Sequence, residues 1–426
     1  MSESQGHAEP ERIEAFVNRI GEIGRDRRGG WSRLAFTKEE RDAHDVFAES
    51  ARDLGLSVRA DAIGNTFATL RGDENDRPMY MSGSHLDSVP NGGNFDGVAG
   101  VATALEVGRI LSLSKTFAGE YCAVAFTAEE SARFGAPCIG SRVAIGEFTA
   151  ETLRALRDQE GTSLHDAAAD LGLRPDDVDA EVWPTGFVEL FLELHIEQGA
   201  VLDSRGRRLG LVDAIGGSTR LELSFPGTAA HSGATPMSLR RDALVAASEF
   251  VIEVERQAAR HPTAVATVGR LDVEPGSLTT VPGFVRLSLD TRDIDSDRQR
   301  DLAEDLLDAA WRIAGRRGIT VSASLISDQS PVTLHRLVRE DLARTAESLA
   351  VPFAVLPSGA THDTAHIAKR APAGMLFVPS RDGISHAPGE WSDVADIARG
   401  ADVIARTILH TDAQIRAAGA HVTVER

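Results

Sequence analysis

The chain has 426 residues, of which 42% are hydrophobic, enough to build two or three domain cores. Lys and Arg number 45 against 64 Asp and Glu, a formal charge of −19, which argues against a nucleic-acid polyanion as partner. No apolar run approaches the roughly 18 residues of a membrane span. The polar opening MSESQGHAEPERIEA lacks both a secretory apolar segment and an Arg-rich transit pattern, so a cytoplasmic protein with no membrane partner is expected.

In chain order, Thr37 with Glu40 forms a capping-box pattern that predicts a helix to about Leu54, before Gly55. Strand-like runs follow: SVRADAIGNTFATL, PMYMSGS, YCAVAFTA and FVELFLELHI. Helical segments separate several of them, the clearest being FDGVAGVATALEVGRILSL after Asp96. This alternation predicts an α/β catalytic domain with a mostly parallel sheet. From about Ala214 the order becomes strand TRLELSF, a helix from Ser238 to about Arg260, strands TAVATVGRLDV and FVRLSLDTRD, a helix from Asp297 to about Arg316, and strand ITVSASLIS. That β-α-β-β-α-β series predicts an inserted ferredoxin-like α+β domain. The α/β pattern resumes after Ser327 with the buried strand MLFVP. Residues 1–213 and 328–426 are thus assigned to the catalytic domain and 214–327 to the insertion. Cys122 and Cys138 belong to no CxxC motif and read as inert reduced thiols.

Four strand ends carry the chemistry. His85 and Asp87 follow PMYMSGS, and Asp96 begins the next helix. Ligands collect beyond the carboxyl ends of strands in such sheets. His85 offers an imidazole nitrogen and Asp87 could orient it; Asp96 is a ligand or a plain helix cap. Glu129 and Glu130 end the apolar run AVAFTA. Adjacent carboxylates repel unless a cation intervenes, so one suits a metal and the other a general base. His195 ends FVELFLELHI with Gln198 after it, and His386 lies past MLFVPS. Nitrogen and oxygen donors without cysteine point to zinc, manganese or cobalt in a catalytic site.

The segments GSHLDSVPNGGNFDGVAGV, FTAEESARFG, HIEQG, HSGATPM, LDTRD and GISHAPGE, together with WSRLAFTKEERDA near the start, resemble the hydantoinase/carbamoylase branch of the di-metal aminoacylase and carboxypeptidase superfamily. That branch includes N-carbamoyl-L-amino acid hydrolases, allantoate amidohydrolases and β-ureidopropionases. The resemblance covers nearly the whole chain. It implies hydrolysis of a linear C–N bond in a ureido, N-carbamoyl or related carboxylate-bearing amide by activated water. Two divalent ions, zinc foremost, would be held by His85, Asp96, Glu130, His195 and His386, with Asp96 bridging and Glu129 as general base. His231 would stabilise the oxyanion, Arg292 would grip the substrate carboxylate, and Gln198 and Gly359 would touch substrate. The insertion would act as a lid and form a homodimer. Residue by residue, Arg292 also reads as a salt bridge to Asp290 or Asp293, and His231 as a turn residue beside Gly233.

Two departures stand out. Thr280 occupies a turn position where the family often has a substrate-binding asparagine, and SGATHDT replaces the usual SGAGHDA, giving Thr361 and Thr364. Both are expected on the substrate side of the site. The alternatives are an N-acyl-amino-acid deacylase or dipeptidase of the same superfamily and, more remotely, a non-catalytic binding protein of this fold.

Overall fold

The computed structural model describes residues 6–71 and 79–418. It divides into two compact units: residues up to Asp213 with Leu334–Leu356 and Thr361 onward, and Ala214–Thr333 with Pro357–Ala360.

The larger unit is built on a mixed sheet with the strand order Ser57–Ala60, Thr66–Leu70, Glu120–Phe126, Met79–His85, Leu190–Ile196, Ala373–Val378 and Leu209–Ile215. Its central strands Glu120–Phe126, Met79–His85, Leu190–Ile196 and Ala373–Val378 run parallel. The flanking pairs are antiparallel. The central strands are buried along nearly their whole length, which is why they read as unbroken apolar runs rather than alternating ones. Pro78, at the head of PMYMSGS, lies outside the described residues. SVRADAIGNTFATL folds as an antiparallel pair of strands turning at Asp61–Asn65. Helix Val98–Leu113 is buried on almost every side and packs with Pro10–Ile20 and Val394–Ala418 against the sheet. Among the described residues, no helix is long and apolar enough to cross a membrane.

Helix Lys38–Asp53 is capped by the Thr37 side chain, which accepts from Glu40 N. Glu40 does not complete the reciprocal box. Its buried carboxylate accepts instead from Phe36 N at 2.6 Å and Ala128 N at 2.7 Å, so it ties the helix to the turn that carries Glu129.

The smaller unit has an antiparallel sheet in the order Ser322–Gln329, Gly217–Pro226, Phe284–Asp293, Val265–Glu274. Strand periodicity sorts its side chains. Leu221, Leu223, Phe225, Val285, Leu287 and Leu289 bury against helices Ala243–Ala258 and Ser296–Arg316. Alternate residues, among them Arg220, Asp290 and Arg292, stand on the other face. The first helix starts at Ala243 rather than Ser238: Asp242 caps it by accepting from Leu244 N and Val245 N, and Met237–Leu239 forms a separate short turn. The last strand runs to Gln329, so the unit extends to Thr333, past the Ser327 boundary expected from sequence.

Candidate active site

The four parallel strands release their following segments at one edge of the larger unit's sheet. His85 is the last residue of Met79–His85, and His195 lies near the end of Leu190–Ile196. The turn after Glu120–Phe126 carries Glu129 and Glu130, and the loop after Ala373–Val378 carries His386. Asp96 is not the cap of helix Val98–Leu113. Gly97 holds that position at φ 66°, with no side-chain cap bond, and a Cβ there would lie 2.5 Å from His85 Nδ1. The glycine lets the chain pass the imidazole and turns the Asp96 carboxylate back toward it.

Asp96 Oδ1 lies 3.4 Å from His85 Nε2 and 3.1 Å from His195 Nε2, and the two Nε2 atoms are 3.5 Å apart. The opposite nitrogens face carbonyls: His85 Nδ1 is 3.1 Å from Asp87 O, and His195 Nδ1 is 2.9 Å from Ile196 O. A carbonyl only accepts, so each Nδ1 carries a proton; with the rings neutral, as metal binding requires, each Nε2 then presents a lone pair. Asp96 Oδ1 is buried without a hydrogen-bond donor. With both rings neutral, three acceptor atoms converge in a buried site, an arrangement that repels itself unless a cation sits among them. The donor set fits a divalent ion.

Asp96 Oδ2 belongs to a second group. It lies 3.3 Å from His386 Nε2, which is also 3.3 Å from Glu130 Oε1. Gln198 Nε2 donates to the same Asp96 oxygen at 2.7 Å. The His386 side chain is 48% exposed, whereas His85 and His195 are 2% and 1% exposed; the second group therefore opens to solvent and the first does not. Ala128, Cys138, Gln198 and His386 all adopt left-handed backbone, at φ 56°, 56°, 58° and 55°, a concentration of strain typical of functional loops.

Without a cation these groups pair with one another: burial lowers His85 and His195, but the carboxylates around them, Asp87 and Asp96 for His85 and Asp96 for His195, carry both above the usual imidazole value. Burial alone would raise the Asp96 carboxyl, but the surrounding imidazoles carry it well below the usual range. His386 is pushed up to about 11 by its bonds to Asp96 and Glu130. Burial pushes Glu129 well above the usual carboxylate range, with neighbouring Glu130 adding to the shift and His85 opposing it. Glu129 Oε2 lies 3.9 Å from His85 Nε2.

A shell of residues whose roles the sequence did not disclose holds these groups. Asp87 was expected to orient His85 and lies 3.4 Å from its Nδ1. Its carboxylate also accepts from Glu129 N at 3.0 Å and Glu130 N at 2.9 Å, fixing the tandem glutamates. Glu390 accepts from Phe95 N, Asp96 N, Ser385 Oγ and His386 N. Arg33, fully buried, donates to Leu86 O and Asn94 Oδ1; burial lowers its pKa to about 10 despite Asp87, Glu390 and Asp96 nearby. Cys138 donates its thiol to Glu129 Oε1 at 3.2 Å, so it is an inert buried thiol that nonetheless touches the expected base. Glu193, His195 and His362 form a third close group. Its Glu193 is already engaged by Ser84 Oγ at 2.7 Å and by both Thr364 N and Thr364 Oγ1. The Thr364 departure therefore falls beneath the histidine cluster rather than on the substrate side: its hydroxyl satisfies a buried carboxylate.

In the smaller unit, His231 and Thr280 are cross-strand partners. His231 Nδ1 accepts from Gly233 N at 3.1 Å and Ala234 N at 3.2 Å, which leaves Nε2–H as its donor. Arg292 makes the salt bridge to Asp290 that sequence allowed, Nη2 to Oδ2 at 3.0 Å, while Asp293 pairs with Arg298 instead. Arg292 Nη1 also donates to Gly359 O at 2.8 Å. Thus His85, Asp96, Glu129, Glu130, His195, Gln198 and His386 gather in the larger unit, and His231 with Thr280 and Arg292 with Gly359 form pairs in the smaller.

The family described as peptidase family M20/M25/M40 matches residues 81–410. An N-carbamoyl-L-amino acid amidohydrolase of Geobacillus stearothermophilus is 40% identical over 399 residues, covering 93% of this chain and 97% of that protein. An allantoate amidohydrolase of Escherichia coli is 33% identical over 398 residues, covering 92% and 96%. The crystal structure of a hydantoinase/carbamoylase family amidase from Burkholderia multivorans superposes with a TM-score of 0.85 at 33% identity, covering 95% and 98%. The chain belongs to the M20/M25/M40 peptidase family and, within it, to the hydantoinase/carbamoylase group of carbon–nitrogen hydrolases.

Proposed function

We propose that the protein hydrolyses the carbamoyl C–N bond of an N-carbamoyl or ureido amino acid with the help of two divalent metal ions. The observation that carries this reading is the shared carboxylate of Asp96, whose two oxygens face separate donor groups: His85 and His195 on one side, Glu130 and His386 on the other. Two cations held there would polarise the ureido carbonyl and bring the pKa of an attacking water toward neutrality.

The remaining work falls to side chains. Glu129 accepts the proton of the attacking water and returns it to the leaving nitrogen as the C–N bond breaks. Its buried carboxylate stands 3.9 Å from His85 Nε2, beside the atoms that would hold the metal. One nitrogen leaves in this step and the other stays as a carbamic acid, which loses carbon dioxide, so the products are the free amino acid, ammonia and carbon dioxide. His231, with Nδ1 committed to backbone N–H groups, offers Nε2–H to the developing oxyanion. Arg292 has three of its five donors committed to Asp290 and Gly359, which leaves one N–H on each of Nη1 and Nη2 for the substrate carboxylate. Gln198, bonded to Asp96, is assigned to the substrate side of the second metal group. The smaller unit is assigned as the dimerisation and lid domain; its edge strand Ser322–Gln329 leaves Leu325 62% exposed.

The test is a metal-supplemented screen of N-carbamoyl, ureido and N-acyl amino acids in which ammonia and free amine are measured together. Equal release of ammonia and amine from N-carbamoyl compounds is expected. Amine without ammonia, from N-acyl compounds only, would replace this reading by the deacylase one.

A further inference from the structure

Arg292 does not stand alone. It lines a groove of about 550 Å³ on the helix-free face of the smaller unit's sheet, and Arg220 lines the same groove. Directly between them in charge is Asp290, the cross-strand partner of Arg220. Asp290 accepts from Arg292 Nε and Nη2 at 3.3 and 3.0 Å, and its Oδ2 lies 3.4 Å from Arg220 Nε. Among the described residues no other partner engages Arg220, so its Nη1 and Nη2 face the groove uncommitted. Val265 and Ile326, each 55% exposed, supply apolar walls.

The charges decide what this groove takes. An isolated Arg292–Asp290 pair would be neutral and would offer an incoming carboxylate little net attraction, because Asp290 repels the anion about as strongly as Arg292 attracts it. Arg220 changes the sum: two guanidinium groups and one carboxylate leave a single positive charge. Asp290 meanwhile holds the Arg292 plane from its Nε side and leaves the far N–H groups open. One carboxylate completes the balance; a second would meet Asp290 uncompensated. We propose that Arg220 is a specificity-determining residue that keeps this groove cationic by sharing Asp290, and that the groove selects substrates with one carboxylate and an apolar side chain. The proposal rests on the function proposed above, with Arg292 as carboxylate site.

The test compares N-carbamoyl-L-leucine with its neutral carboxamide, N-carbamoyl-L-leucinamide, on the metal-loaded enzyme. Arg220→Gln sets the local charge to zero. It should raise KM for the carboxylate roughly three- to tenfold, the size of one partly screened charge interaction, with kcat unchanged and KM for the amide within about twofold. Arg220→Gln combined with Asp290→Asn returns the local charge to one and should recover most of the lost KM. Arg220→Lys keeps the charge and should stay near wild type. Equal effects on acid and amide, an unchanged KM in Arg220→Gln, failure of the double variant to recover, or Arg220→Lys behaving like Arg220→Gln would each overturn the proposal. The same variants made in Glu129→Gln protein, titrated calorimetrically with N-carbamoyl-L-leucine, read the charge dependence as binding alone. A wild type that turns over neither compound, yet binds the acid with this charge dependence in the Glu129→Gln background, would contradict the proposed reaction and leave the groove assignment standing.

Discussion

Replacing Glu390 with glutamine keeps the side chain's shape and removes half of what it does. Its carboxylate lies at the meeting point of the loops that carry Asp96 and His386. Oε1 accepts from Phe95 N at 2.9 Å and Asp96 N at 3.0 Å; Oε2 accepts from Ser385 Oγ at 3.0 Å and His386 N at 3.3 Å. A glutamine has one acceptor oxygen and one NH₂, so one pair of donors loses its acceptor. The Ser385 hydroxyl can rotate to accept, whereas the three backbone N–H groups cannot. The amide nitrogen will therefore turn toward Ser385 and His386, leaving His386 N facing a donor. One buried N–H without a partner costs about 1–3 kcal/mol, and the cost falls on the loop that carries His386. Loss of such a supporting contact commonly weakens metal affinity by about 10–100-fold. Equilibrium metal titration of Glu390→Gln should show one ion per chain retained at near wild-type affinity and the other weakened in that range, matching the ion lost in His386→Ala. Two ions bound with unchanged affinity, or weakening of the ion that depends on His195, would refute the reasoning.

The same contact makes Gly93 irreplaceable: a Cβ there would come within 2.0 Å of Glu390 Oε1, so Gly93→Ala should lower the melting temperature and the bound-metal count together. Glu129→Gln should lose kcat by orders of magnitude with both metals retained, and Glu130→Gln should lose metal first; elemental analysis showing the reverse would exchange their roles. Thr280, opposite His231 on the adjoining strand, cannot donate and accept in the planar manner of an amide, so Thr280→Asn should raise kcat/KM on N-carbamoyl-L-amino acids or allantoate. Unchanged kinetics in that variant, with ordinary efficiency in the wild type, would remove Thr280 from the specificity account.

The gathering of the candidate ligands was legible because the fold delivers them at strand ends. An apolar run followed at once by His or paired Glu marks the carboxyl edge of a parallel sheet, and four such runs converge on one edge whatever their separation in sequence. The alternating pattern of TRLELSF and FVRLSLDTRD likewise disclosed a sheet with one covered face. The supporting shell was not legible in the same way. Glu40 sits in a capping-box pattern, and nothing local says that its carboxylate reaches Ala128 N, 88 positions away along the chain. Glu390 reads as a loop acid, and its partners Phe95 and Asp96 are nearly 300 residues distant. Glu193 did leave a signal: an acid inside a strand buried along its whole length demands partners, and Ser84 and Thr364 are those partners. The segment from Ile139 to Ala180 folds as short helices of three to seven residues, too brief for an apolar period to show. The five-residue error at the helix starting at Ala243 has a plain cause, since Asp242 rather than Ser238 supplies the cap.

The most direct measurement strips the protein of metal, adds back zinc, manganese or cobalt in counted equivalents, and follows ammonia released from an N-carbamoyl-L-amino acid. A hydrolase with paired donor groups around Asp96 should be inactive without metal and reach full turnover as occupancy approaches two ions per chain, with one ammonia formed for each amino acid. Full ammonia release from rigorously metal-free protein, or saturation of activity at one ion with no second binding event, would contradict it.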